Sequence, residues 1–282
     1  MRYTTLIDAA SLARLRPGPG LVVLDCRFDL ADPGAGRRAW LAGHLPGAAY
    51  ADLNEDLSSP PGPATGRHPL PEPRRLAARL GELGVDNDTQ VIAYDQSNGA
   101  FAARLWWLLR WLGHERSAVL DGGFHAWRAQ GGAVESGEVA VPRRHFTAAG
   151  PALATADSAA VGAALARGDR LLVDARAVER YAGEVEPIDP VAGHVPGAIN
   201  AAFSGNLDAD GRFLPAAALR RRWEAILAAA PPARVIAMCG SGVTACHNLL
   251  ALEVAGLPGA ALYPGSWSEW IRDTSRPVAT GR

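Results

Sequence analysis

One cysteine stands in a loop whose composition suits nucleophilic chemistry. The stretch MCGSGVTACHNLL, residues 238–250, puts Cys239 between a strand-like apolar run and an amphipathic, helix-like run. Gly240 and Gly242 allow positive φ angles and close backbone approach, which would let successive N–H groups converge at the start of the helix. Such groups, together with the positive end of a helix dipole, stabilise a thiolate. We therefore predict that Cys239 is a nucleophile in an anion-binding loop.

The competing interpretation of this loop is a buried, inert cysteine that ends a core strand, because free cysteine is often buried. Two glycines and two hydroxyl side chains crowd the turn, which packing alone does not require, and this favours the functional interpretation. Cys246, beside His247, is typical of helix packing, with a resolving thiol as the alternative. Cys26 has no visible activating group.

Charge and cysteine content exclude several classes of function. The 28 basic and 29 acidic residues leave a net charge of -1, and no long basic run would attract nucleic acid. Three cysteines without a CxxC pair argue against a disulfide framework and a zinc site and favour a reducing, cytoplasmic location. Asp8 interrupts any signal peptide, and the apolar run 104–113 contains Arg110 and is too short to span a membrane.

The chain also contains an internal repeat. Four segments of the first half return in the same order in the second: GLVVLDCR (20–27) as RLLVDAR (170–176), AGHLPGAAY (42–50) as AGHVPGAIN (192–200), QVIAYD (90–95) as RVIAMC (234–239), and VLDGGFHAW (119–127) as LYPGSWSEW (262–270). We predict two tandem domains, residues 1–143 and 155–282, joined by a proline-containing linker within 141–157.

The elements that must position Cys239 follow from the pattern within each copy. Short apolar runs (VVL, VIAY, LLV, VIAM) alternate with helical patterns that glycines end, which predicts an α/β fold with a parallel sheet flanked by helices. A strand should end at Met238 and a helix should begin near Thr244. Asp95 stands where the second copy has Cys239, so the first copy is predicted to be an inactive scaffold that shapes the active cleft.

Several motifs together resemble the two-domain rhodanese-like sulfurtransferases over nearly the whole chain. They are CGSGVTA, both GHxPGA segments, the WW helix and YPGSWSEW. The resemblance implies tandem rhodanese-like domains and a C-terminal loop cysteine that carries sulfur as a persulfide. Cys239 would be that carrier. The residues implied to cradle the substrate are Gly240, Ser241, Gly242, Val243 and Thr244.

The neutral loop bears on the sulfur donor. Thiosulfate sulfurtransferases typically have Arg-Lys after the cysteine, whereas Gly240 and Ser241 match the mercaptopyruvate branch. The resemblance implies a Ser–His–acid proton relay, which suits a donor whose enolate leaving group must be protonated. Its positions here are Ser241, His68 in GRHPLP, and Asn54, which cannot ionise and leaves the relay incomplete. The alternative for His68 is a solvated loop histidine.

An arginine is also implied for the anionic part of the donor. Arg180, in DARAVERY, matches that position, and an arginine fork suits a carboxylate; the alternative is a helix-surface arginine. The mercaptopyruvate branch has a further arginine in a Glu-Pro-Arg tripeptide, and this chain has Ile188 there. The neutral loop favours 3-mercaptopyruvate as the donor, whereas the missing arginine is a feature shared with thiosulfate enzymes. The predicted donor is 3-mercaptopyruvate, with thiosulfate, used through the same persulfide mechanism, as the alternative.

Other repeated residues are predicted to be structural. Arg27 and Arg176 follow the aspartates of the two DxR segments and are expected to form ion pairs within each domain. His44 and His194 occur in both copies, including the copy without a nucleophile. Arg104 and the predicted core or packing tryptophans complete this set: Trp106, Trp107, Trp267 and Trp270.

Partners and rival functions complete the predictions. The resemblance implies a small thiol, cyanide or a thioredoxin-type protein as sulfur acceptor, and no metal or organic cofactor, nucleic acid or membrane. A cysteine-dependent phosphatase needs an arginine that closes the loop on phosphate, and residues 240–250 contain none. A non-catalytic rhodanese-like binding module is the alternative from a different class; Cys239 and its glycine loop argue against it.

Overall fold

The computed structural model describes residues 2–15 and 18–282. They form two compact units, the first made of Met1–Ser59, Leu70–Ala152 and Ala209–Phe213, and the second of Pro60–Pro69, Leu153–Asp208 and Leu214–Arg282. Each unit therefore includes a short segment from the opposite half of the sequence. The domain boundaries inferred from the repeat, 1–143 and 155–282, stay a prediction, because packing and sequence repetition need not divide a chain at the same residues.

The first unit contains a parallel sheet whose central strands are the apolar runs of the sequence. Val91 and Ile92 are fully buried, as expected for a strand covered on both faces. The hydrogen-bonded strand order is β1-β5-β4-β2-β3, and all pairs are parallel. The strands are Leu6–Ile7 (β1), Leu21–Asp25 (β2), Ala49–Tyr50 (β3), Gln90–Tyr94 (β4) and Ser117–Leu120 (β5).

The helices of this unit pack on that sheet. The WW helix is buried along its length apart from Arg110, which is half-buried, and this agrees with its interpretation as a core helix. Trp106, Trp107 and Arg104 on it are each at most 1% exposed. The helices are Ala9–Ala13 (α1), Ala35–Ala42 (α2), Pro73–Glu82 (α3), Ala102–Trp111 (α4) and Gly123–Ala129 (α5).

The second unit repeats this plan with strand order β7-β6-β8-β9, again with all pairs parallel. Its strands are Leu171–Asp174 (β6), Ile199–Asn200 (β7), Val235–Met238 (β8) and Ala261–Leu262 (β9). Its α-helices are Ser158–Arg167 (α6), Val178–Ala182 (α7), Ala216–Leu227 (α8), Thr244–Val254 (α9) and Ser266–Trp270 (α10). Short 3₁₀ turns lie at Phe203–Asn206 and Pro232–Arg234. The α/β prediction, with one parallel sheet flanked by helices in each unit, is confirmed.

The two DxR segments make the same ion pair in both units, as predicted. Arg27 Nη2 lies 2.6 Å from Asp25 Oδ2, and Arg176 Nη2 lies 2.7 Å from Asp174 Oδ2. Each of these guanidinium groups also donates to a backbone carbonyl, of Gly43 at 2.6 Å and of Gly193 at 2.8 Å. Because these pairs are buried and fully hydrogen-bonded, they tie the end of the β2 or β6 strand to the loop before the GHxPGA turn.

The paired histidines are structural as well. The Nδ1 of His44 lies 2.8 Å from the Trp40 carbonyl oxygen, and the Nδ1 of His194 lies 2.9 Å from that of Tyr181. Among the described residues, no helix is long and apolar enough to cross a membrane. The same residues contain no group of three or more His, Cys, Asp or Glu side chains placed to hold a metal ion.

Candidate active site

The cysteine loop follows the end of β8 and leads into α9, as the sequence predicted. Gly242 has φ +76°, and a Cβ there would lie 2.4 Å from the Pro264 carbonyl oxygen, so only glycine fits. Gly240 is not among the positive-φ residues. A Cβ on Gly240 would instead lie 3.1 Å from Arg67 Nη2. Glycine at 240 therefore leaves room for a cation.

The sulfur of Cys239 receives a backbone donor. The residue is 2% exposed, and the Gly242 N–H donates to its Sγ at an N···S distance of 3.1 Å. Such a donor stabilises negative charge on sulfur. Val243 precedes α9 and Thr244 is its first residue, so the helix N-terminus lies directly beyond the loop.

A strained serine holds the cysteine backbone. The Cys239 N–H donates to Ser266 Oγ at 3.0 Å, and that hydroxyl donates to the Tyr263 carbonyl at 2.8 Å. Ser266 has φ +54°, which is uncommon for a residue with a Cβ and marks a position held by its surroundings. Nothing in the sequence indicated this role, because serine is common at the start of a helix.

The first turn of α10 also fixes the cysteine loop through the backbone. The Trp267 N–H donates to the Cys239 carbonyl at 3.0 Å, and the Ser268 N–H donates to the Gly240 carbonyl at 2.9 Å. Trp267 is fully buried, and the Arg176 guanidinium lies 4.8 Å from its ring centroid. The carbonyl groups of Cys239 and Gly240 thus join the cysteine loop to the YPGSWSEW segment.

His68 lies beside the loop serine. Its Nδ1 is 2.7 Å from Ser241 Oγ, and the two residues are 4% and 5% exposed. The interpretation of His68 as a solvated loop histidine is therefore wrong. Asn54, proposed at the acid position of the relay, belongs to the first unit, where its N–H donates to Asp52 Oδ1 at 2.7 Å.

A hydrogen bond and a close backbone approach hold the GRHPLP segment in place within the second unit. The Arg67 N–H donates to Ser268 Oγ at 3.0 Å. A Cβ on Gly66 would lie 2.4 Å from the Gly265 carbonyl oxygen, so the segment approaches α10 as closely as glycine allows. This contact places His68 and Arg67 next to the cysteine loop although they are far from it in sequence.

Arg180 lies on α7 and points to the same loop, but it is engaged by acidic residues. Its Nε and Nη2 donate to Glu186 Oε1 at 3.1 and 2.7 Å, and Nη2 also lies 3.1 Å from Asp189 Oδ2. Its side chain is 18% exposed, so it is not a helix-surface arginine. Burial alone would raise the pKa of Glu186, but the Arg180 bond and the N–H groups of Asp189 and Ile188 hold it below its usual value.

Sequence reasoning missed two residues of this cluster, Arg67 and Asp189. Arg67 Nη1 forms an ion pair with Asp189 Oδ1, and the Asp189 side chain is only 3% exposed. Arg67 directly precedes His68 in the GRHPLP segment, and Asp189 directly follows the Glu-Pro-Ile tripeptide. The two are 122 residues apart, and nothing local in the sequence indicates that they meet.

The other cysteines have packing roles. Cys246 is fully buried on α9, and its Sγ donates to the Gly242 carbonyl at 3.3 Å. Cys26 is 2% exposed, and burial, followed by the nearby Asp25 carboxylate, raises the pKa of its thiol well above the usual value. A thiol of that kind is a poor nucleophile near neutral pH. Neither residue joins the polar cluster around Cys239.

Comparisons with known proteins agree with this arrangement. A model of the rhodanese-like domain matches residues 8–130 and again residues 158–273. A protein of Pseudomonas aeruginosa named a probable 3-mercaptopyruvate sulfurtransferase is 52% identical over 283 residues, covering 100% of both chains. A thiosulfate sulfurtransferase of Bos taurus is 36% identical, and the match covers 95% of this chain and 92% of that protein. The crystal structure of the 3-mercaptopyruvate sulfotransferase SseA of Escherichia coli covers 94% of this chain and 100% of its own, with 33% identity and a TM-score of 0.79. The chain belongs to the family of two-domain rhodanese-like sulfurtransferases.

Proposed function

We propose that this protein takes sulfur from 3-mercaptopyruvate and passes it to a thiol acceptor through a persulfide on Cys239. The observation that carries the proposal is the cluster around one sulfur atom. Gly242 donates its N–H to that sulfur, and the adjoining loop serine lies 2.7 Å from an imidazole nitrogen. The names of the Pseudomonas aeruginosa and Escherichia coli relatives support the donor.

In the first half-reaction the Cys239 thiolate attacks the donor's sulfur. An S–S bond forms, the C–S bond breaks, and its electron pair passes to the donor carbon as the enolate of pyruvate. The proton of the donor's thiol ends on that carbon, so the products are pyruvate and the Cys239 persulfide anion. Charge and atoms balance without a further oxidant or reductant, and this is covalent catalysis in two steps.

The protonation of the enolate is the task of Ser241 and His68. The Ser241 hydroxyl can give its proton to the enolate carbon while His68 returns one to the serine oxygen, since their atoms lie within hydrogen-bond distance. The proton that the donor's thiol loses replaces the one that His68 gives up, so the net transfer is from that thiol to the carbon. A sulfite leaving group needs no such proton. The hydroxyl–imidazole pair therefore favours mercaptopyruvate over thiosulfate, which is the alternative donor that the Bos taurus relative represents.

In the second half-reaction an acceptor thiol removes the outer sulfur. The acceptor sulfur bonds to the outer sulfur, the S–S bond to Cys239 breaks, and the Cys239 thiolate is restored. We propose small thiols and dithiol proteins of the thioredoxin type as acceptors, and a cytoplasmic location where such thiols stay reduced; Cys26, Cys239 and Cys246 are all free cysteines. Asp95 makes the first copy inactive in this chemistry.

The experiment compares the two donors on one protein. The purified chain is mixed with 3-mercaptopyruvate or thiosulfate, and intact mass reports the gain of one sulfur atom while the rates of pyruvate and sulfite release are followed. We expect persulfide on Cys239 and a higher kcat/KM with mercaptopyruvate. No added sulfur with either donor would overturn the proposal and favour a binding module; faster transfer from thiosulfate would overturn the donor assignment alone.

A further inference from the structure

Arg67 lies beside the cysteine loop, and its guanidinium offers the hydrogen-bonding edge that an anionic donor needs. We propose that Arg67 is the residue that anchors the carboxylate of the sulfur donor at Gly240, and that Arg180 has a supporting part. This inference rests on the proposed function, because it names the residue that would select an α-keto acid donor.

The first observation is where the two guanidinium groups meet. The point at which a Cβ of Gly240 would stand lies 3.1 Å from Arg67 Nη2, 3.6 Å from Arg180 Nη1 and 3.7 Å from Arg180 Nη2. Gly240 is the residue next to the nucleophile. Two cations therefore approach the backbone of Gly240, beside Cys239, and the absence of a side chain at 240 lets them come this close.

The second observation is which edges of the two arginines are already used. A carboxylate binds an arginine best across a pair of parallel N–H groups, for example those of Nε and Nη2. Arg180 gives that edge to Glu186, through Nε at 3.1 Å and Nη2 at 2.7 Å. Both Nη1 and Nη2 of Arg180 lie near Gly240, but only Nη1 has no bond to the Glu186 or Asp189 carboxylate. Arg180 can therefore offer a ligand the N–H groups of one nitrogen, not the fork formed by two nitrogens.

Arg67 is engaged in the opposite way. Its Nη1 pairs with Asp189, which leaves the Nε and Nη2 edge, and Nη2 is the atom nearest to Gly240. Within the described part of the chain, Arg67 Nε is a buried atom with no hydrogen-bond partner. A buried N–H without a partner is unfavourable, and buried donors are nearly always satisfied. A carboxylate that entered at Nη2 would complete the pair with Nε.

Asp189 holds this edge in position. One of its oxygens binds Arg67 Nη1, and the other lies 3.1 Å from Arg180 Nη2, so a single buried carboxylate orients both arginines. The Arg67 side chain is 27% exposed, so part of it is open to solvent. The second arginine expected in the Glu-Pro-Arg tripeptide is absent because Ile188 stands there, and Arg67 supplies a fork from a different segment.

The test separates the carboxylate from the rest of the donor. Mercaptoacetone has the same thiol and ketone as 3-mercaptopyruvate but a methyl group in place of the carboxylate. Persulfide formation on Cys239 is measured against the concentration of each donor for the wild type, Arg67→Gln and Arg67→Lys. We expect Arg67→Gln to raise the KM for 3-mercaptopyruvate about tenfold to hundredfold with little change in kcat, as for lost charged hydrogen bonds. The kcat/KM for mercaptoacetone should stay within about threefold of wild type.

Arg67→Lys keeps the charge and loses the fork, so its KM for 3-mercaptopyruvate should still rise about fivefold or more. Arg276→Lys is the matched control, because Arg276 belongs to the same unit, is 26% exposed and pairs with Asp273. This control variant should leave the KM for both donors unchanged.

Three outcomes would count against the inference or its basis, and each is distinct. An unchanged KM for 3-mercaptopyruvate in Arg67→Gln would show that Arg67 does not touch the donor. Equal losses with both donors would assign it a merely structural role, through its pair with Asp189. A wild type that gains no sulfur from 3-mercaptopyruvate would overturn the proposed function before the role of Arg67 arises.

Discussion

The loops that follow β4 and β8 share one backbone frame but hold different side chains. In the first unit the Phe124 N–H donates to the Asp95 carbonyl and the His125 N–H to the Gln96 carbonyl, both at 2.9 Å. In the second unit Trp267 and Ser268 donate in the same way to Cys239 and Gly240, at 3.0 and 2.9 Å. The repeat has therefore kept the hydrogen bonds that shape the loop, independently of the nucleophile.

The first loop is filled by its own anion. The Asp95 carboxylate is 2% exposed and accepts backbone N–H groups at 2.9 to 3.2 Å from Ser97, Gly99, Phe101 and Ala102. Burial raises the pKa of Asp95, and these four donors oppose that rise. The N–H groups of this loop are thus satisfied by an internal carboxylate, which supports the prediction that this copy does not bind the donor.

The second loop has a sulfur atom, and not a carboxylate, at the corresponding position. Cys239 Sγ accepts one N–H, from Gly242, and two guanidinium groups reach toward Gly240. The frame differs at one further position, where Gly123 (φ +56°) corresponds to Ser266 (φ +54°). In both units, backbone N–H groups of the loop donate to the first side chain after the central strand: four of them to Asp95, and that of Gly242 to Cys239.

The largest effect on sulfur transfer should come from changing Cys239 and Asp95, the residues that follow β8 and β4. Cys239→Ser removes the nucleophile and should lower transfer by at least about 10³-fold while the fold is kept. The double variant that also carries Asp95→Cys should not regain transfer. The Ser241–His68 pair and the guanidinium groups of Arg67 and Arg180 lie at the second loop and not at the first. Intact mass after donor exposure checks both variants. A persulfide on residue 95 would show that the backbone frame alone suffices, and residual transfer in Cys239→Ser would implicate Cys246 or Cys26.

The next effect concerns the hydroxyl–imidazole pair, which the second loop has and the first lacks. His68→Asn should lower kcat with 3-mercaptopyruvate about 100-fold, a usual contribution of a positioned acid–base group, and Ser241→Ala should do the same. The double variant should be little worse than either single one, because the two residues act as a unit. Stopped-flow detection of pyruvate checks the three rates. Additive losses would mean that the residues act separately.

Much of the architecture could be predicted from the sequence, because it is written in local patterns. The apolar runs predicted β2, β4, β6 and β8, and glycines marked the ends of α4 and α9, all of which the structure contains. The loop at Cys239 was recognisable because a strand, two glycines and a helix lie within a few residues of each other.

The parts that could not be predicted depend on contacts between distant segments. The Arg67–Asp189 pair joins residues 122 apart, and the Arg67 backbone bond to Ser268 joins residues 201 apart. The sequence indicated that Gly240 allows a positive φ or a close approach, but not that the neighbour approaching it is Arg67. Ser266 gave no signal, because backbone strain is a property of the folded loop and not of the residue type.

A smaller effect, on stability alone, should follow from emptying the first loop. Asp95→Ala leaves four N–H groups without their acceptor, so the free energy of unfolding should fall by about 2 to 4 kcal/mol. The kcat per folded molecule should stay within about twofold of wild type, because the loop has no part in the chemistry. Urea unfolding and active-site titration of Cys239 measure the two quantities. A loss of kcat at unchanged stability would contradict the assignment of Asp95 as a structural anion.

The smallest effect should come from the position where the two loops differ in backbone strain. Ser266→Ala keeps a Cβ at positive φ and loses the hydroxyl that joins Cys239 N–H to the Tyr263 carbonyl, so it should cost about 1 to 2 kcal/mol of unfolding free energy. Ser266→Gly loses the same hydrogen bonds but relieves the strain, as Gly123 does in the first loop, and should cost about 1 kcal/mol less. Urea unfolding of the two variants isolates that difference. Equal stability would mean that Ser266 stores no strain, and the cysteine backbone would then be held by its hydrogen bonds alone.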